Sequence, residues 1–82
     1  MLMTSLIACR NVFKGQFINL RAQPATTGAV VARLPPDATM VAEAERGGWL
    51  RLRADKAAGV PTDSWALVQH PVHGKLLEPV LG

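Results

Sequence analysis

No apolar run between Phe17 and Gln69 lasts long enough to build a helix before proline or glycine cuts it. That punctuation constrains the fold more than any other feature of the chain. Pro24, Thr26, Thr27 and Gly28 form a dense turn cluster after Leu20. "AVVARL" (Ala29 to Leu34) is a β-branched apolar run, and Pro35-Pro36-Asp37 ends it, because proline has no N–H for a ladder. "TMVAEAE" (Thr39 to Glu45) alternates, with Met40, Ala42 and Ala44 on one face and Val41, Glu43 and Glu45 on the other. Arg46-Gly47-Gly48 predicts a hairpin turn, since glycine tolerates positive φ. "WLRLRA" (Trp49 to Ala54) alternates again: Leu50 and Leu52 share one face, Trp49, Arg51 and Arg53 the other.

The remainder follows the same rhythm. Asp55 to Asp63 is small and polar, with Gly59 and Pro61, and reads as a loop. "SWALVQ" (Ser64 to Gln69) is a further strand. His70 to Gly74 suits one tight turn of 3₁₀ type, and "KLLEPV" (Lys75 to Val80) is a last short strand. Short strands at close spacing with turns between them predict an all-β fold, a small barrel or sandwich. With no Tyr and few aromatics, its core must be built from Leu, Val, Ile and Ala.

An 82-residue chain is one domain, and a domain this small has a thin core with little room for a deep cavity. Nine Lys and Arg against six Asp and Glu give a net charge of +3, short of the dense basic patch of a dedicated nucleic-acid binder. A single cysteine, Cys9, excludes an intrachain disulfide. No apolar stretch has the length of a membrane helix. "LIAC" (Leu6 to Cys9) fits a lipoprotein cleavage tetrapeptide, but no charged residue precedes it and the apolar region is short. A buried cysteine in a first strand is the expectation.

The order Asn-Leu-Arg-x-x-Pro, turn, apolar strand, proline turn, alternating strand, Gly-Trp, loop, Trp-x-apolar resembles the bacterial-type Src-homology-3 domain. Asn19, Leu20, Arg21 and Pro24 carry the first signature, Gly48 and Trp49 the second, and Trp65 with Leu67 and Val68 the third. The family has glycine before the last tryptophan, where this chain has Ser64. The resemblance implies a five- to six-stranded barrel over residues 15–80, with residues 1–14 as an N-terminal arm or first strand. It also implies that Arg21 to Thr27 begin the irregular loop beside the binding groove. Asn19 and Arg21 are expected to hold that loop by hydrogen bonds to carbonyls.

Candidate contact residues are Arg21, Pro24, Trp49, Arg51, Arg53 and Trp65. Trp49 shares a strand face with two arginines, and a buried unpaired charge is costly, so Trp49 is expected to face outward. There it either meets a partner or caps the barrel edge under arginine stems. Trp65 is expected either towards a loop or groove, with Ala66 and Val68 inward, or packed in the core. A polyproline groove needs tyrosines that this chain lacks. His70, His73 and Cys9 do not have metal-site spacing, and His70 is expected to cap a carbonyl in its turn. No phosphate loop and no nucleophile with an orienting partner are apparent, so no enzyme activity, cofactor or metal is expected.

The function expected is non-catalytic binding to protein partners, as a small accessory or scaffolding subunit of a larger complex. Cell-wall (peptidoglycan peptide) recognition is the alternative, and weak nucleic-acid binding, through Arg46, Arg51, Arg53 and Lys56, the third. The compartment is not fixed by these residues.

Overall fold

The computed structural model describes residues 7–80. Nine short strands follow in order: β1 (Ile7–Asn11), β2 (Ile18–Arg21), β3 (Val30–Leu34), β4 (Thr39–Arg46), β5 (Trp49–Leu52), β6 (Ser64–Leu67), β7 (Gln69–His70), β8 (Gly74–Lys75) and β9 (Leu77–Pro79). Seven form one antiparallel sheet in the order β3-β2-β6-β5-β4-β1-β9, and β7 and β8 form a separate hairpin. The fold is all-β, as the turn punctuation dictates. The strands number nine rather than five or six, because β1 and β9 extend the sheet beyond β4 and the β7–β8 hairpin is a piece of its own.

The alternation read from sequence is the alternation of burial. Ile18 and Leu20 of β2 point inward, as do Met40 and Ala42 of β4 and Leu52 and Ala66 of β5 and β6. A register shift between Ala42 and Ala44 interrupts the β4–β5 ladder, which bends β4. The inward set packs with Cys9, Leu34, Leu76 and Leu77 into one cluster. Val60 belongs to it too. The Asp55 to Asp63 loop is therefore anchored by an apolar residue and by the reciprocal Asp55–Val60 backbone pair, at 2.8 and 2.9 Å.

Three turns set the geometry. Gly47 and Gly48 both have positive φ, +56° and +88°, between paired Arg46 and Trp49. This is the two-residue hairpin whose twist matches its strands. The Phe13–Gln16 turn is organised by Asn11, which is fully buried at the end of β1. Its Nδ2 donates to the carbonyls of Gln16 (2.8 Å), Pro35 (3.0 Å) and Leu34 (3.1 Å), and its Oδ1 accepts from the Phe13 N–H (2.8 Å). Asn11 thus joins two turns to β1. Asn19, by contrast, is exposed in β2, so the carbonyl-holding role expected of it falls to Asn11 and Arg21.

The third is the His70–Gly74 turn, which closes the β7–β8 hairpin rather than forming a 3₁₀ helix. His70 Nδ1 accepts from the N–H groups of Val72 (3.0 Å) and His73 (3.2 Å). The ring therefore satisfies amides instead of capping a carbonyl. After β8 the chain switches partners: Leu76 donates to Val68 O at 2.8 Å, and β9 then pairs with β1.

The lipoprotein-like stretch falls partly outside the described residues, at Leu6. Cys9 within it lies inside the core, paired with Met40 and Pro79. Residues 1–6 of the expected arm also lie outside the described residues, whereas Ile7–Asn11 are β1.

Candidate peptide-binding groove

Arg21 ends β2 where the β2–β3 register shifts, and this shift releases the chain into the Ala22–Ala29 loop. The loop is closed by backbone bonds: Ala22 N–H to Ala29 O at 2.9 Å, and Gly28 N–H to Ala25 O at 3.0 Å. Gly28 is needed for close approach. A Cβ there would lie 3.2 Å from three backbone atoms of Gln23 and Ala25. Arg21 Nη1 donates to Gly28 O at 2.8 Å, tying the loop's far end to its start as expected. Pro24 sits half-buried within the loop.

Between this loop and the His70–Gly74 turn lies an open groove of about 310 Å³. Phe13, Phe17, Leu67 and Leu76 supply apolar surface, Arg21 and Thr26 come from the loop side, and His70 and His73 from the turn. Both phenylalanines of the chain border it. The His73 ring packs 5.5 Å from Phe13 and the His70 ring 4.5 Å from His73, measured between centroids. Arg33 of β3 lies over the Phe17 ring at 5.2 Å. No acidic residue lines the groove.

Beside the groove, Arg21 begins a row of side chains across the sheet. It pairs with Trp65 of β6, which pairs in turn with Arg51 of β5. Residues directly opposite in adjacent strands share a face, so Trp65 sits between two arginines. Arg46, from the β4–β5 hairpin, places its guanidinium 6.0 Å from the Trp65 ring centre, within cation–π range. Trp65 is half-buried.

Trp49 lies on the expected side of its strand. Pairing with Leu67 puts it on the same side as Arg51 and Trp65, opposite Leu52 and Ala66, as the alternation says. Yet it is buried, 8% exposed. Strand parity decides the side of the sheet, not what covers it. Leu67 and Arg46 stand directly across from Trp49 on the neighbouring strands and share its face. No arginine has to be buried for this to happen: Arg51 is half-buried and Arg53 exposed.

Of the six residues singled out from sequence, Arg21 borders the groove, and Trp65 and Arg51 stand beside it in the same row. Pro24 and Trp49 do not line the groove, and Arg53 is engaged elsewhere, in an ion pair with Glu43 at 3.2 Å. Sequence reasoning missed Phe13, Phe17 and His73. Their signal was compositional: in a chain with four aromatics, two phenylalanines flank one glycine turn at Lys14–Gly15.

Cys9 lies in the core and is not among the groove's lining residues. Burial pushes the Cys9 thiol above its ordinary pKa, the reverse of activation. Ser64 explains the family departure at its position. It is fully buried, and its hydroxyl donates to Pro61 O at 2.6 Å, pinning the preceding loop where glycine could not.

A family model described as Bacterial SH3 domain matches residues 14–60. Comparison with curated proteins and with solved structures returns no match. The matched segment runs from the Lys14–Gly15 turn to the core residue Val60. It takes in the Asn19–Pro24 and Gly48–Trp49 signatures and covers more than half of the 82 residues. On that match and the all-β architecture, the chain belongs to the bacterial SH3 domain family, a family of binding modules.

Proposed function

We propose that this domain is a non-catalytic protein-binding module whose contact surface is the groove together with the adjoining Trp65 row. It would act as a small accessory or scaffolding subunit, seating an extended segment of a larger protein. The observation that carries this reading is the groove's construction. Its two walls, the Arg21–Gly28 loop and the His70–Gly74 turn, are each held by their own hydrogen bonds, at 2.8 Å from Arg21 and at 3.0 and 3.2 Å to His70. Pre-formed walls lose little entropy on binding, and exposed aromatic surface between them supplies contact area. Phe17, 52% exposed, contributes to that surface.

The test is selection of displayed random peptides on the immobilised 82-residue chain, run beside sedimentation with purified cell-wall sacculi. Enriched peptides whose binding is lost in Trp65→Ala, without binding to sacculi, support the proposal. Sacculus binding without peptide enrichment contradicts it and makes cell-wall recognition the better reading.

A further inference from the structure

The charges around the groove and the Trp65 row are unevenly distributed. Arg21, Arg46 and Arg51 surround Trp65, and Arg33 lies over Phe17 at the groove's rim. Among the described residues none of these four forms an ion pair; the ion pair present joins Arg53 to Glu43.

Among the described residues no acidic one lines the groove, and Glu45, next to Arg46 in sequence, is bound within its own hairpin. Glu45 accepts from the Gly48 N–H at 2.8 Å, and Asp55 accepts from the Ala58 N–H at 3.2 Å. Asp37 and Asp63 occupy turns at positive φ, and Glu78 lies in β9. A chain of modest net charge, +3, therefore gathers four cations around its exposed aromatic surface, none ion-paired among the described residues.

We infer that the partner is an acidic protein segment, bound extended across Arg21, Trp65 and Arg51 with an apolar side chain in the groove. This rests on the protein-binding reading above. Arg21 and Arg51 flank Trp65 on adjacent strands, so their backbones are separated by two strand spacings, ~10 Å. A segment extended in the polyproline II conformation, with three residues per turn and a rise of about 3.1 Å, covers that distance in about three residues and returns carboxylates at i and i+3 to one face. Arg46, stacked on Trp65, and Arg33, stacked on Phe17, are held in place with N–H groups left for an incoming carboxylate. A carboxylate-bearing segment fits better than nucleic acid. The net charge of +3 falls short of the dense basic stripe that tracks a nucleic-acid backbone.

The test uses fluorescent octapeptides with one central phenylalanine and three charge patterns: Glu-x-x-Glu, Ser-x-x-Ser and Lys-x-x-Lys. They are titrated against the full chain, beside an oligothymidine of similar length. Binding of the Glu peptide should exceed that of the Ser peptide by about tenfold and weaken as salt rises from about 0.05 M to about 0.3 M. Arg46→Glu and Arg51→Glu should each weaken the Glu peptide about five- to tenfold, and by more than they weaken the Ser peptide. Lys56→Glu, an equal charge change in the Asp55–Val60 loop, should have less than a twofold effect. Thermal melts confirm that each variant is folded.

Equal binding of the three peptides, or a preference for Lys, overturns the acidic partner and leaves the protein-binding reading standing. So does a Glu preference that survives both arginine reversals. Tighter binding of oligothymidine than of every peptide overturns it in favour of phosphate recognition. Failure of all three peptides and the oligonucleotide to bind overturns it together with the reading on which it rests.

Discussion

Arg21 and Trp65 face each other directly across the junction of β2 and β6. Arg21 also holds the Gly28 carbonyl at 2.8 Å and borders the groove. One side chain thus links the loop, the groove and the tryptophan row. Loss of Arg21 should therefore affect both loop order and binding, whereas Arg51 and Arg46 should affect binding alone.

The two tryptophans should behave differently. Trp49 is buried, and truncating a buried tryptophan costs about 3 kcal/mol or more. Trp49→Ala should lower the urea midpoint steeply. Trp65→Ala, half-buried, should cost about 1 kcal/mol while removing partner binding. Paired urea melts and peptide titrations check this. Equal destabilisation by both would show that Trp65 is as much a core residue as Trp49.

Asn11 should be among the most sensitive polar positions. Asn11→Ala leaves a buried N–H and buried carbonyls without their partner, at about 1–3 kcal/mol for such a loss. In a domain of this size that corresponds to a fall in Tm of roughly 4–8 °C per kcal/mol. Asn19→Ala, at an exposed site, should leave Tm within about 2 °C. Calorimetry on both variants gives the comparison.

The Gly47–Gly48 turn should follow backbone rules alone. A Cβ at either position meets nothing within 4 Å, so only the positive φ resists substitution. Gly47→Asn should be nearly neutral, because asparagine suits the first position of this turn. Gly48→Val should cost about 1–2 kcal/mol. Chemical denaturation distinguishes them, and a large loss for Gly47→Asn would contradict the turn assignment.

These contrasts show what the sequence made legible. Strand limits were readable because proline and glycine mark them, and Pro35-Pro36 and Gly47-Gly48 fall where strands end. The facing of Trp65 and Arg51 was readable from a period of two. The burial of Trp49 was not, because it depends on Leu67, which lies across a different ladder. Asn11 reads as an ordinary polar residue, since its partners Leu34 and Pro35 are 23 and 24 residues away. The groove was only half legible. Phe13 and His73 meet through the β8–β9 return, and no local pattern announces a contact between such distant segments.

The Cys9 thiol should link stability to alkaline pH. Burial raises its pKa in the folded state, chiefly by desolvation, partly offset by a hydrogen bond from the Met40 backbone. The raised value means its contribution is intact below the thiol's ordinary pKa and is lost as pH rises through the folded value. Stability should therefore decline on the alkaline side, and less so in Cys9→Ala after allowing for that variant's lower baseline. A thiol reagent at neutral pH should label native protein far more slowly than urea-unfolded protein. Equal labelling rates would place Cys9 outside the core.

The central claim is that partners meet the groove and the Trp65 row. Its most direct measurement is amide and indole chemical-shift mapping by NMR, on isotope-labelled protein titrated with the tightest selected peptide. The account predicts that shifts concentrate at Phe13, Phe17, Arg21, Leu67 and His73 and at the Trp65 indole N–H. Shifts concentrated instead on the β3 edge at Val30 and Val31, or on β1 and β9 around Ile7, would contradict it.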